Sequence, residues 1–187
     1  MNSPRKASTF TSGLSIAFDL NVLNVMGSFE SSSKPAPVSP GHRGPDVQLQ
    51  KPGTREATRL HKEAPNNARF HVVVFAGEPD YTSTSLKSFS DSLESSKVFS
   101  NARLPTSWFT IPANSAPSAF ELLGIMPFGK VFYDEKQTAH NRYGVDIKRG
   151  GVMVLRPDGW VGTSTSLRDG AVVELEVYFK SVLLINS

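Results

Sequence analysis

The tightest constraint on the fold lies near the C-terminus, where Arg156-Pro157-Asp158-Gly159 separates two runs of apolar and β-branched residues. Pro157 presets φ for the first turn position, Asp158 can bond its own backbone, and Gly159 tolerates positive φ. Residues 151–155 and 160–165 are therefore expected to pair as a hairpin. Residues 171–185 follow with Val172, Leu175, Phe179, Val182 and Leu183 on one stripe and Glu174, Lys180 and Ser181 off it. That spacing predicts an amphipathic helix. The chain thus ends in an antiparallel ββα unit.

An earlier unit has the other order. Residues 70–76 are β-branched and aromatic, end at Gly77, and predict a buried central strand. Residues 82–96 place Leu86, Phe89 and Leu93 at helical spacing, weakened by many serines. Residues 107–111 predict a strand closed by Pro112, and 131–133 the start of another element. Residues 116–123 predict a short helix, with Pro117 in its first turn and Gly124 at its end. A βαβ unit followed by ββα is the order of a thioredoxin-like α/β domain, a mixed sheet with flanking helices.

The N-terminal third reads differently. Leu14, Ile16, Phe18 and Leu20 alternate with period two and predict a strand, which needs a partner. Between residues 28 and 53, Ser, Pro and Gly dominate, a composition expected to be mobile or held only by surface contacts. The expected organisation is an arm at 1–27, a linker at 28–65 and a thioredoxin-like domain at 66–187. The apolar side chains of residues 14–23 are expected to fold back on the domain or to dock on a partner.

Composition removes whole classes of function. Lys+Arg at 20 against Asp+Glu at 17 gives a net charge of only +3, and the basic residues are scattered, so no nucleic-acid surface is expected. The absence of cysteine excludes disulfides, thiolate metal sites and dithiol redox chemistry. The fourteen glycines form no Gly-x-Gly-x-x-Gly and no P-loop, and no serine sits in a Gly-x-Ser-x-Gly elbow. The longest clean apolar run, Val72 to Ala76, is strand-sized, so no membrane span is expected. Arg5 and Lys6 are followed by no apolar stretch of signal-peptide type, and a cytoplasmic location is the expectation.

Few residues invite a chemical role. None of His42, His61, His71 and His140 has metal-ligand spacing to another candidate. His71 reads as a satisfied core residue and His42 as solvated. His140, with Asp134 and Tyr143, is the candidate lining of a polar pocket. Arg156, Pro157, Asp158, Gly159 and Trp160 form a structural hairpin whose ion pair is a candidate for facing a partner. No catalytic, cofactor-binding or metal-binding residue is assigned.

One resemblance spans nearly the whole chain. Arg142-Tyr143-Gly144-Val145-Asp146, then Gly150-Gly151-Val152-Met153-Val154-Leu155-Arg156-Pro157-Asp158-Gly159-Trp160-Val161-Gly162, resembles the C-terminal domain of the phenol 2-monooxygenase family of FAD-dependent aromatic hydroxylases. Phe70 to Gly77 is similar to that domain's first strand. Pro40-Gly41-His42-Arg43-Gly44-Pro45-Asp46, with Leu49, Pro52-Gly53 and Thr58-Arg59-Leu60-His61, resembles the approach to it. Phe10-Thr11-Ser12-Gly13 resembles the segment just after the substrate domain. The resemblance implies a thioredoxin-like fold without redox cysteines that serves mainly in dimerisation. In the full-length family FAD and NADPH drive hydroxylation of a phenolic ring. The family's flavin motifs have no counterpart here, so no cofactor is expected in this chain. The implied function is that of a stand-alone or truncated dimerisation domain with an accessory role in aromatic or secondary metabolism, assembling as a homodimer or with a flavoprotein. The rival reading is an enzyme component with its own activity in the thioredoxin-like domain, or a fragment of a full monooxygenase.

Overall fold

A computed structural model describes residues 16–33, 36–100, 104–114 and 127–184. The helix expected at 116–123, Leu14 and the Phe10–Gly13 motif lie outside them. Five strands form one sheet: β3 (Phe70–Gly77), β4 (Thr106–Pro112), β5 (Lys130–Val131), β6 (Gly151–Leu155) and β7 (Val161–Ser166), in the order β5-β4-β3-β6-β7. β3 runs parallel to β4 and antiparallel to β6, and β7 is antiparallel to β6. The central position of β3 explains its unbroken apolar run, because every residue of it is buried.

The sheet separates two cores. Val72 and Val74 of β3 face the helices α2 (Pro79–Ser95) and α4 (Ala171–Leu183) through Leu86, Phe89, Leu175 and Phe179. Val73 and Phe75 face the opposite side, with Phe109, Ile111, Met153 and Leu155. The period-two alternation of β3 thus divides its side chains between two layers. Val172, Leu175 and Phe179 of the expected stripe are buried, whereas Val182 and Leu183 pack only at its edge.

The second layer corrects the expected linker. Val38, Val47, Leu49 and Leu60 are all buried in it. Gln48–Gln50 (β1) and Ala57–Arg59 (β2) pair as an antiparallel hairpin that leads into the short helix α1 (Leu60–Glu63). Asp46 fastens its base: one carboxylate oxygen accepts from Arg59 Nε at 2.5 Å and the other from the His61 backbone N–H at 3.1 Å. Gln50 and Tyr133 exchange both backbone bonds at 2.9 Å. A Pro/Ser/Gly composition did not prevent packing, because its four large aliphatic residues Val38, Val47, Leu49 and Leu60 fall on the sheet.

Over its described residues, 16–20, the expected strand is corrected in the other direction. Residues 16–26 form a strap without a ladder, touching the sheet region through single bridges such as Ala17 to His42. The segment does fold back on its own chain. Phe18 N–H donates to Gly41 O at 2.9 Å and Val25 N–H to Gly162 O at 2.8 Å.

Candidate functional site

Asp134 and His140 are brought together, but not around a pocket. Asp134 lies just before α3 (Thr138–Tyr143), and its Oδ2 accepts both the backbone N–H of His140, at 2.9 Å, and the ring Nδ1–H, at 2.8 Å. The first bond satisfies one of the orphan amides at the helix start. The backbone N–H of Gly77 donates to His140 Nε2 at 3.3 Å, at the junction of β3 and α2. That contact makes Nε2 the acceptor and Nδ1 the donor. Both side chains are buried, at 0% and 2% exposure. The dyad has the look of a base and its orienting carboxylate. Its outer nitrogen, however, is held by a backbone amide, so the trio ties α3 to the end of the central strand.

Tyr143 belongs to the same layer and points elsewhere. Its ring lies 4.9 Å from that of Phe75, and its hydroxyl donates to Pro45 O at 2.9 Å. Burial pushes its phenol well above the ordinary range, with Asp46 adding to the effect. A Cβ on Gly44 would meet the Tyr143 hydroxyl and the Leu155 side chain at 2.9 Å, so a larger residue here would force those groups to shift. The expected polar pocket of Asp134, His140 and Tyr143 is therefore corrected to a closed structural network. A small cleft of about 110 Å³ touches Asp134 but neither His140 nor Tyr143.

The hairpin turn carries more than a turn. Gly159 N–H bonds Arg156 O at 2.8 Å, with Gly159 at φ +83. Arg156 pairs with Asp158 at 2.5 Å, and its other terminal nitrogen donates to Asn24 Oδ1 at 2.9 Å. Asn24 is fully buried. Trp160 meets Phe18 edge to face at 4.7 Å. Backbone bonds from Gly41 N–H to Val161 O, Val161 N–H to His42 O and Gly44 N–H to Gly159 O knit residues 41–44 to the same hairpin. The ion pair thus clasps the strap.

The other end of the strap rests on α4. Tyr178 hydroxyl donates to Leu23 O at 3.1 Å, and Ser28 Oγ contacts Glu174 at 2.8 Å. These bonds hold the strap by its backbone and polar groups and leave its large side chains outside. Ile16, Phe18, Leu20, Val22, Leu23, Val25 and Met26 are between 37% and 60% exposed. Asn24, Ser28 and Tyr178 escaped the sequence reading, because nothing in their spacing announces contacts across more than a hundred residues. His42 is exposed beside Ser39, as expected. His71 is buried, but only one of its ring nitrogens has a partner among the described residues.

Among the described residues no helix is long and apolar enough to cross a membrane, and no cluster of acidic residues and histidines could hold a metal ion. The family described as phenol hydroxylase, C-terminal dimerisation domain, matches residues 16–127 and 98–187. Among solved structures, the flavin-dependent monooxygenase PieE in complex with FAD and substrate aligns over 91% of this chain and 25% of its own, at 17% identity and TM-score 0.57. A thioredoxin-like protein from Bacteroides caccae aligns over 73% of this chain and 47% of its own, at 12% identity and TM-score 0.51. The thioredoxin domain of the thiol-disulfide oxidoreductase BVU-2223 from Bacteroides vulgatus aligns over 85% of this chain and all of its own, at 11% identity and TM-score 0.50. These likenesses establish a thioredoxin-like fold.

Proposed function

The chain belongs to the family of phenol hydroxylase C-terminal dimerisation domains, and we propose that it acts as an assembly module, joining a second copy of itself through the strap. The observation that carries this reading is the strap's outward row of apolar side chains from Ile16 to Met26. At about 25 cal/mol per Å², a few hundred Å² of such surface left in water forgoes several kcal/mol, and monomers avoid patches of that kind. Thiol-disulfide exchange, the chemistry named for one fold neighbour, is closed to a chain with no cysteine. An independent activity in this domain finds no support in the buried dyad, whose acceptor nitrogen is already used. The family setting supports an accessory role beside an FAD-dependent aromatic hydroxylase, in aromatic or secondary metabolism and in the cytoplasm.

The test is sedimentation of the full chain and of a variant carrying Phe18→Ser, Leu20→Ser and Val22→Ser. A wild-type dimer that becomes a folded monomer in the variant supports the reading. A dimer unaffected by the substitutions places the interface elsewhere. A wild-type monomer that binds a flavoprotein monooxygenase through the same residues would replace self-association with association to that partner.

A further inference from the structure

The helix α4 carries a second apolar face that its own fold does not bury. The inner stripe, Val172, Leu175 and Phe179, lies in the core. On the opposite side Val173 and Val177 are 60% and 63% exposed, and Leu184 at the helix end is 84% exposed. Lys180 falls on the same line, so positions 173, 177, 180 and 184 follow the spacing of a seam between paired helices. A helix that is apolar on every side is normally buried on every side. α2 covers the same core and shows the ordinary arrangement, because its outward residues include Asp80, Thr84, Lys87 and Asp91. Leu184 adds to the contrast. It closes the helix at φ +52, a left-handed conformation that glycine usually takes at such an end.

The strap runs along one flank of this face. The bonds from Tyr178 to Leu23 O and from Ser28 to Glu174 hold it beside the helix, and the Val25 N–H ties it to Gly162 of β7. Two glycines permit the close approach. A Cβ on Gly162 would lie 2.0 Å from the Tyr178 hydroxyl, and one on Gly27 would lie 1.9 Å from Ser164 O. Leu23, Val25 and Met26 therefore extend the exposed apolar surface of α4 past Glu174 and Tyr178.

We infer that the outer face of α4 is the centre of the contact with a second copy of this chain, and that the strap is its margin. This assignment rests on the reading of the chain as a self-associating module. A two-fold pair uses the same patch on both copies. A face of valines and a leucine is complementary to itself and asks for no opposite charge on the partner. Valine is also stiff about χ1, so burying Val173 and Val177 orders little that is free. A standard interface takes about 800 Å² from each partner. The strap's few hundred Å² fall short of that, and the α4 face supplies further area on a rigid element.

The test uses the full chain, whose lack of cysteine makes one introduced thiol a clean probe. Val177→Cys should react freely with a maleimide in dilute protein, and at least about tenfold more slowly at concentrations where sedimentation shows a dimer. Val173→Gln with Val177→Gln replaces the seam by good helix formers. That variant should weaken the dimer about thirtyfold or more, with helix content and thermal unfolding of the dilute chain preserved. Loss of the dimer in the Phe18→Ser, Leu20→Ser, Val22→Ser variant but not in the glutamine variant would overturn the inference and leave association through the strap standing. Loss in the glutamine variant alone would uphold α4 and remove the strap from the interface. A thiol that reacts at full rate within the dimer would overturn the inference. So would one protected equally at every dilution, because another part of its own chain would then cover it, and so would protection that appears only when a flavoprotein monooxygenase is added.

Discussion

Two neighbouring stretches exchange the places that their compositions suggest. Residues 16–26 alternate like a strand, yet they form no ladder and leave seven large apolar side chains in water. Residues 36–63 read like a linker, yet they bury Val38, Val47, Leu49 and Leu60 against the central sheet. The difference lies in what each finds to pair with. Leu49 and its neighbours meet an uncovered face of β3, β4 and β6. The strap instead meets backbone edges and polar groups, including Gly41 O, Gly162 O and Arg156. Alternation reports which side chains share a face, not whether that face is covered by the same chain.

The contrast breaks most sharply under core truncation. Leu49→Ala and Leu60→Ala each empty a fully buried site and should cost about 2–5 kcal/mol in urea unfolding. Leu20→Ala in the strap should stay within about 0.5 kcal/mol for the unassociated chain. Comparable losses at all three positions would erase the distinction. Gly44→Ala sharpens the same point inside the linker-like stretch. Its Cβ would press on the Tyr143 hydroxyl and Leu155, for a cost of about 1–3 kcal/mol. A neutral result would mean that residues 41–46 are not packed as a layer.

The strands and helices were legible where local pattern and tertiary environment agree. The apolar run of β3, the turn at Arg156 to Gly159 and the stripe of α4 each carry their reason in adjacent residues. The second layer was not legible, because Val38, Val47, Leu49 and Leu60 are spread over some twenty residues with no common period. Asp134, His140 and Tyr143 were expected to line a polar pocket, but only Asp134 and His140 bond each other, and Tyr143 turns to Pro45. Their full burial depends on Gly44, Pro45 and Phe75, all remote in sequence. The free nitrogen of His71 was invisible for the same reason, since it depends on which carbonyl takes the other one.

A smaller effect is expected where the strap meets α4. Tyr178→Phe keeps the ring in the core and removes the bond to Leu23 O, at a cost of about 0.5–1.5 kcal/mol. The loss should appear locally, as faster amide exchange over residues 23–28, while β1 and β2 stay protected. Equal acceleration in both stretches would show that strap and layer open together, and the comparison between them would fail.

The smallest effect separates the two stretches by pH. The strap contains no histidine, whereas the linker-like layer holds His61 and covers His71. Burial pushes both imidazoles below their ordinary value of 6.5, against Asp46 at His61 and the Pro65 carbonyl at His71. The folded chain then binds fewer protons than the unfolded chain as pH falls through 6.5. Stability must decline with pH from there, and the decline ends once the folded-state values are passed. Asp46 acts further down. Burial alone would raise it, but Arg59 and the His61 backbone N–H hold it below 3.8. Its contribution is complete above 3.8 and is lost as pH falls through the lower folded value. The urea midpoint should therefore be lower at pH 5.5 than at pH 7.5, and His61→Gln should reduce that difference. Removing residues 16–26 should leave it unchanged, because no group that drives it sits in the strap. A flat midpoint between the two pH values would mean that the layer over His71 is open to water.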